Sequence, residues 1–376
     1  MRCGDAAVPC APMRVSKHIP ALDGVRGIAI ALVLAYHSAV FGQTADDLAG
    51  RVARLGWCGV DLFFVLSGFL ITGILLDGRA DLPTFGAFFG RRVRRIFPLY
   101  YGALAVYFCV LARFSDVGDA HEAAWYVTYL SNVRIATHGW PSRSAIDQFW
   151  SLAIEEQFYL VWPVIVLGRS RATVVRFCLA IFGIALLTRI GFGFAGNYDA
   201  IYVLTPCRAD ALAAGAMAAV AVRSNVASSV AARLVVISAV VWLTVVACVR
   251  LRYWTDQPAV YAIGMPSFAL LCASAVAYLA SVPSNNRYAR ALSVAPLRAL
   301  GKYSYAIYVF QQGAMIAAHR LLSPHLKTVP SVLSIVTIGG AGSALSIVAA
   351  IASWHLYEKR FLSSNHPTQR SAALNG

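Results

Sequence analysis

The sequence predicts an all-α fold, a polytopic membrane helical bundle of about ten transmembrane helices, because its apolar runs repeatedly reach the roughly 20 residues that cross a bilayer. Composition agrees: of 376 residues, 59% are hydrophobic and only 13% charged, and the mean hydropathy is +0.64. The third observation is the basic residues, which gather in alternate loops, the pattern of a chain threaded back and forth through a membrane.

Taken in order, the predicted helices are Leu22–Phe41, Val60–Leu76, Ile96–Ala112, Phe149–Leu167 and Val174–Gly191, then Thr205–Val222, Leu234–Val249, Val260–Leu279, Leu297–His319 and Val332–Tyr357. The first follows a polar lead with no small-residue cleavage site, so it reads as a retained helix rather than a signal peptide. The second opens on GVDLFFVLSGFLIT, the third follows the basic run RRVRR, and the fourth opens on FWSLAIEEQFYLVWP. The sixth carries Arg208 and Asp210 in its first turns, and AWYVTYLSNV after Ala124 reads as a short extra segment dipping into the membrane. One membrane-embedded domain, 1–376, accounts for the length, with 1–20 and 363–376 as cytoplasmic tails.

The net charge of +15 belongs first to topology, not to nucleic acid. With the N-terminus inside, about 20 of the 32 Lys and Arg fall in inner loops, which favours both termini in the cytoplasm. The eight cysteines include no CxxC pair, and most, such as Cys178, Cys248 and Cys272, sit inside apolar runs. No metal site and no disulfide framework is expected from them.

Ionisable groups inside spans are expensive and usually face a cavity. From Arg26 to His37 is eleven residues, about 1,100° of helix or three turns plus about 20°, so both side chains share one face with their backbones about 16 Å apart. That is about the length of a pantetheine arm. Arg26 would lie near the cytoplasmic end with Asp23, and His37 near the outer end. An Arg–Asp pair or a snorkelling Arg would also explain this helix alone. Asp61 enters at the outer end of the second span, Glu155 and Glu156 open the fourth, and Arg208 and Asp210 open the sixth, all expected at the level of His37. On the cytoplasmic side Arg92 and Arg95 are three apart, neighbours on a helix. They read either as a topology signal or as a phosphate clamp, since guanidinium groups bind phosphate oxygens bidentately. Phosphate chemistry inside, an imidazole with carboxylates outside and a helix wall between them fit an acyl-CoA thioester.

Seven segments in order then resemble the membrane-bound acyltransferase family 3: LDGVRG with the Arg26 and His37 pair, GVDLFFVLSGFLIT, RRVRRIFP, WSLAIEEQFYLVWP, RADALAAG, GKYSYAIYVF with Ser304 and Tyr305, and YEKRF with Glu358. The resemblance runs from Leu22 to about Leu362. It implies transfer of an acyl group, commonly acetyl, from acyl-CoA to hydroxyls of sugars and other acceptors. His37 would be the base, and Arg26, Arg92 and Arg95 would serve the donor. Glu358, at the inner face, suits a structural or donor-side pairing with an Arg. The chain departs from the family pattern at Gln311, where a His is common, and at Arg360, where Pro is usual. Fused members carry an extracytoplasmic hydrolase-like domain, for which this length leaves no room.

The expected mechanism has His37, oriented by Asp61, Glu155 or Glu156, taking the proton of an acceptor hydroxyl that attacks the thioester carbonyl. No permanently bound cofactor or metal is expected. Acyl-CoA, in particular acetyl-CoA, is the co-substrate, and a lipid-linked or membrane-proximal glycan, such as an O-antigen or exopolysaccharide unit, is the expected acceptor. Trp125, Tyr126, Tyr129, Trp140, His121 and His138 in the longest outer loop suit sugar stacking and equally an interfacial aromatic belt. The expected location is the bacterial inner membrane, among membrane lipids. A macrolide-type small-molecule acceptor is the alternative within the class. A proton-coupled transporter is the rival outside it, disfavoured because neither an inverted repeat nor matched broken helices is evident.

Overall fold

The structure is a computed structural model and describes residues 18–42, 47–78, 82–111, 120–141, 144–326 and 331–362. Most of both terminal tails therefore lies outside the described residues, as do Arg2, Arg14, Lys17, Arg79 and Arg370 among the predicted inner cations.

The described chain is helical, in the order α1 (Pro20–Phe41), α2 (Leu48–Arg54), α3 (Gly59–Asp77), α4 (Leu82–Val106), α5 (Ala120–Val127) and α6 (Ser131–His138), then α7 (Phe149–Val166), α8 (Arg171–Phe194), α9 (Tyr198–Val203), α10 (Thr205–Arg223), α11 (Ser228–Cys248) and α12 (Met265–Ser281), and finally α13 (Arg287–Leu292), α14 (Ala295–Leu322), α15 (Ser331–Ser334), α16 (Gly340–Ser353) and α17 (Lys359–Leu362). No strand occurs among the described residues. Side chains start several helices: Asp47 accepts from the Gly50 amide at α2, and Ser170 from the Thr173 amide at α8.

Seven described segments are long and apolar enough to cross a membrane: Pro20–Phe41, Leu48–Asp77, Arg171–Phe194, Tyr198–Arg223, Ser228–Cys248, Val260–Ser281 and Val332–Phe361. The other three predicted spans are also helices, α4, α7 and α14, but charged and amide side chains lower their hydropathy. These are Arg91 to Arg95 in α4, Glu155 to Gln157 in α7, and Arg298, Lys302, Gln311 and Gln312 in α14. The least apolar of the long helices thus carry Arg92, Arg95, Glu155, Glu156, Gln311 and Gln312, whereas Arg26 and His37 lie on the more apolar α1.

Several ends differ from expectation. The third predicted span begins well before Ile96, so the RRVRR run lies inside α4. Pro98 interrupts the amide ladder of α4, and Tyr305 and Tyr357 donate to the nearby carbonyls of Ile96 (2.8 Å) and Pro98 (3.1 Å). The AWYVTYLSNV segment is helical in two short pieces, α5 and α6. Arg360 continues the last helix through a π-turn, Trp354–Glu358, into α17, where Pro would have stopped it.

Small residues hold the bundle centre together. A Cβ on Gly24 or Gly27 of α1 would come within 1.7 or 2.2 Å of the carbonyls of Leu292 or Leu297, and one on Gly301 of α14 within 1.9 Å of the Asp23 carbonyl. Gly68 of α3 and Gly215 of α10 make a second crossing, each 1.9 Å at its Cβ position from a carbonyl of the other helix. The segments containing α3 and α10 are each 72% buried, whereas those of α8, α11 and α16 are 17%, 22% and 28% buried. The first two form the core, and the last three present apolar faces outward.

Candidate active site

Three cavities follow one another along α1. At one end a vestibule of about 590 Å³ is lined by Asp23, Arg26, Arg95, Arg298, Lys302 and Trp354. Arg26 and Arg95 also line a narrow chamber of about 90 Å³ with Arg92, Glu155, Glu156 and Tyr159. Val60 and Tyr308 are shared between that chamber and a vestibule of about 670 Å³ at the other end. His37 lines this last vestibule, with Tyr36, Trp140, Trp150, Tyr202 and Trp254. Arg26 and His37 therefore both turn to the interior from one face of α1, as the eleven-residue spacing requires.

His37 is held by its own helix. Its Nδ1 lies 2.9 Å from the carbonyl of Val33, one turn back. A carbonyl only accepts, so Nδ1 carries the proton in the neutral ring and Nε2 keeps its lone pair. Tyr36 meets the ring edge-on with centroids 5.0 Å apart. The Nε2 lies 3.5 Å from the amide nitrogen of Gln311, which is fully buried on α14. The departure from the family pattern thus falls directly on Nε2 of His37.

None of the expected carboxylates, Asp61, Glu155 and Glu156, lines the vestibule of His37. Asp61 lies 2.8 Å from Nη2 of Arg208, and Asp210 lies 2.7 Å from Nη1 of Arg189, all four side chains being buried. Trp57, Phe64, Trp150 and Tyr202 surround the Arg208 guanidinium at 5.3–5.8 Å. Neither pair lines the three cavities. Glu155 and Glu156 belong with the arginines instead of with His37. The reason is depth: α7 begins at Phe149, so Glu155 is six residues in, about 9 Å along the axis. There it accepts from Ser67 (2.7 Å), which also accepts from Tyr159 (3.0 Å). Arg92 stacks over the Tyr159 ring at 5.0 Å.

The remaining candidates divide between the two ends. Asp23 pairs with His18 at 2.7 Å at the basic vestibule. Ser304 and Tyr305 line the narrow chamber, their hydroxyls donating to Gly301 (2.9 Å) and Ile96. Glu358 is buried, accepts from Ser353 at 2.9 Å and interacts electrostatically with Arg95. Of the outer-loop aromatics, only Trp140 reaches the large vestibule. Tyr129 packs on Tyr100 and Phe97, Tyr126 is buried beside Phe108, and His121, Trp125 and His138 form a separate cluster. Sequence reasoning missed Ser67, the buried Arg189, the Ser151–Tyr308 contact (2.5 Å), and Trp254, Gln148 and Gln312 in the vestibule wall. Arg189, an Arg within an apolar run, was open to detection. The others are ordinary helix residues until the fold groups them.

A helical bundle of membrane-spanning length, traversed by a polar route with an imidazole at one end and guanidinium groups at the other, defines an integral membrane protein with an interior site. The chain belongs to the membrane-bound acyltransferase family 3: the family profile described as "Acyltransferase domain" matches residues 19–353. YrhL of Bacillus subtilis (strain 168) is 31% identical over 325 residues, 80% of this chain and 49% of YrhL. The O-acetyltransferase OatA of Staphylococcus aureus (strain NCTC 8325 / PS 47) is 28% identical over 324 residues, 78% of this chain and 50% of OatA. The peptidoglycan O-acetyltransferase OatA of Listeria monocytogenes is 37% identical over 164 residues, 40% of this chain and 24% of that protein. The chain spans about half the length of the first two. No solved structure matches it significantly.

Proposed function

We propose that this protein is an integral-membrane O-acyltransferase that moves an acetyl group from cytoplasmic acetyl-CoA to a sugar hydroxyl of a cell-surface glycan. The observation that carries the reading is the file of three cavities with Arg26 at the junction of the first two and the His37 imidazole facing the third. The basic end takes the donor and, by the positive-inside rule, faces the cytoplasm of a bacterium. The aromatic end takes the acceptor. A glycan of the kind in the Listeria relative's name suits a vestibule walled by Trp140, Trp150 and Trp254 with Gln148 and Gln312 among its polar groups.

In the proposed reaction the acceptor hydroxyl displaces Gln311 from Nε2 of His37 and gives that nitrogen its proton as its oxygen attacks the thioester carbonyl. The tetrahedral intermediate collapses, the carbon–sulfur bond breaks, and the proton returns from Nε2 to the departing sulfur. Val33 holds Nδ1–H throughout, the part assigned at first to a carboxylate. The ester leaves on the acceptor and free CoA on the basic side.

The deciding experiment supplies labelled acetyl-CoA to membranes containing the protein and identifies labelled products by mass spectrometry. Label in an ester of a sugar hydroxyl is the expected result. Absence of any acetylated product over membranes lacking the protein, across glycan fractions, rejects the reading.

A further inference from the structure

The expectation that Arg92 and Arg95 clamp the donor's phosphates does not fit the space around Arg92. The chamber there measures about 90 Å³, below the usual range of small-molecule sites, and Arg92 shares it with the carboxyl groups of Glu155 and Glu156. A narrow thiol arm passes such a chamber; a nucleotide does not. The neighbouring vestibule of about 590 Å³ is within the roughly 300–1,000 Å³ of small-molecule sites.

That vestibule is built for anions. Arg298 and Lys302 are four apart on α14, hence on one face, and line it with Arg26 and Arg95 against a single carboxylate, Asp23, which is held by His18. Ala295 lines it too and is the first residue of the 28-residue α14. No side chain caps that start, the N-cap being Val294, and since Pro296 has no N–H the amides of Ala295 and Leu297, with the positive end of the helix, are what it offers a ligand. Trp354 adds a flat wall, and the Lys302 ammonium lies over its ring at 5.2 Å. Gly301 packs on the Asp23 carbonyl, which sets Arg298 and Lys302 near the level of Asp23, fourteen residues or about 21 Å of helix axis from His37.

We propose that this vestibule binds the polyphosphate end of the nucleotide donor, with Arg298, Lys302 and the start of α14 as its phosphate ligands, while Arg26, Arg92 and Arg95 line the path of the thiol arm. The inference rests on the acyl-CoA reading above. The same chemistry would attract the phosphate of an anionic lipid, so the test separates the two sources.

Full-length protein is placed in phosphatidylcholine nanodiscs, with and without phosphatidylglycerol, and titrated calorimetrically with coenzyme A and with pantetheine. In phosphatidylcholine alone the wild type prefers coenzyme A over pantetheine, and Arg298→Ala with Lys302→Ala reduces that preference at least tenfold. The charge-preserving pair Arg298→Lys with Lys302→Arg keeps most of it, which separates lost charge from disturbed folding. A preference within twofold of wild type in the double alanine variant overturns the proposal. So does an effect seen only with phosphatidylglycerol present, which would assign the site to lipid phosphate. Wild type that binds no coenzyme A defeats the donor reading itself, a distinct result. If the double variant does not insert, Lys302→Gln alone serves, with at least a threefold loss expected and no loss overturning the proposal.

Discussion

Two sets of charged side chains lie inside the bundle, and the fold uses them in opposite ways. On α3, α8 and α10, Asp61 and Asp210 are each closed on an arginine, Arg208 and Arg189, with all four groups buried and none on the three cavities. On α1, α4 and α7, Arg26, Arg92, Glu155 and Glu156 surround open space. The first set lies around the α3 and α10 crossing, where Gly68 and Gly215 bring the backbones together. Burial depth does not tell such groups apart. What separates them is whether the opposite charge takes the space a ligand would need.

Four measurements would break or sharpen this contrast. The largest effect belongs to His37→Ala, which should lower transfer by about 10²–10⁴-fold, the usual yield of a positioned base, with insertion and coenzyme A affinity retained. Transfer at the wild-type rate would remove the base. Next, Asp61→Ala should cost about 3–5 kcal/mol by leaving Arg208 buried and uncompensated, read as a lowered melting temperature in detergent. Pairing it with Arg208→Met should return most of that stability, since a deleted ion pair is far less harmful than a broken one; no recovery would mean the pair does more than compensate charge.

Arg92→Ala should behave in the opposite sense, leaving the melting temperature near wild type while weakening donor binding by about 1.5–3 kcal/mol, the scale of a charged hydrogen bond. The more exposed Arg95 should give less. A destabilised Arg92 variant with intact donor affinity would move Arg92 into the structural set. The smallest effect is expected of Gln311→Leu: the acceptor must displace this hydrogen bond from Nε2, worth about 0.5–1.5 kcal/mol, so its loss should lower the acceptor KM several-fold and leave kcat and the donor KM near wild type. A change in the donor KM instead would place Gln311 on the donor path.

The sequence by itself determined the class of fold and the wall of the site. Hydropathy located the helices because a lipid-spanning segment must be apolar over a fixed length, and periodicity put Arg26 and His37 on one face because the α-helix permits no other arrangement of that spacing. Only the tertiary structure decided the partners. Asp61 meets Arg208 across 147 residues, Glu155 meets Ser67 across 88, and Gln311 reaches His37 across 274. Within one helix the backbone dictates direction and depth. Which helix stands opposite depends on where glycines allow two backbones to close, as Gly27 and Gly301 do for α1 and α14. That choice closed Asp61 on Arg208, brought Gln311 to the His37 ring that Val33 of its own helix holds, and set Glu155 and Glu156 beside the arginines.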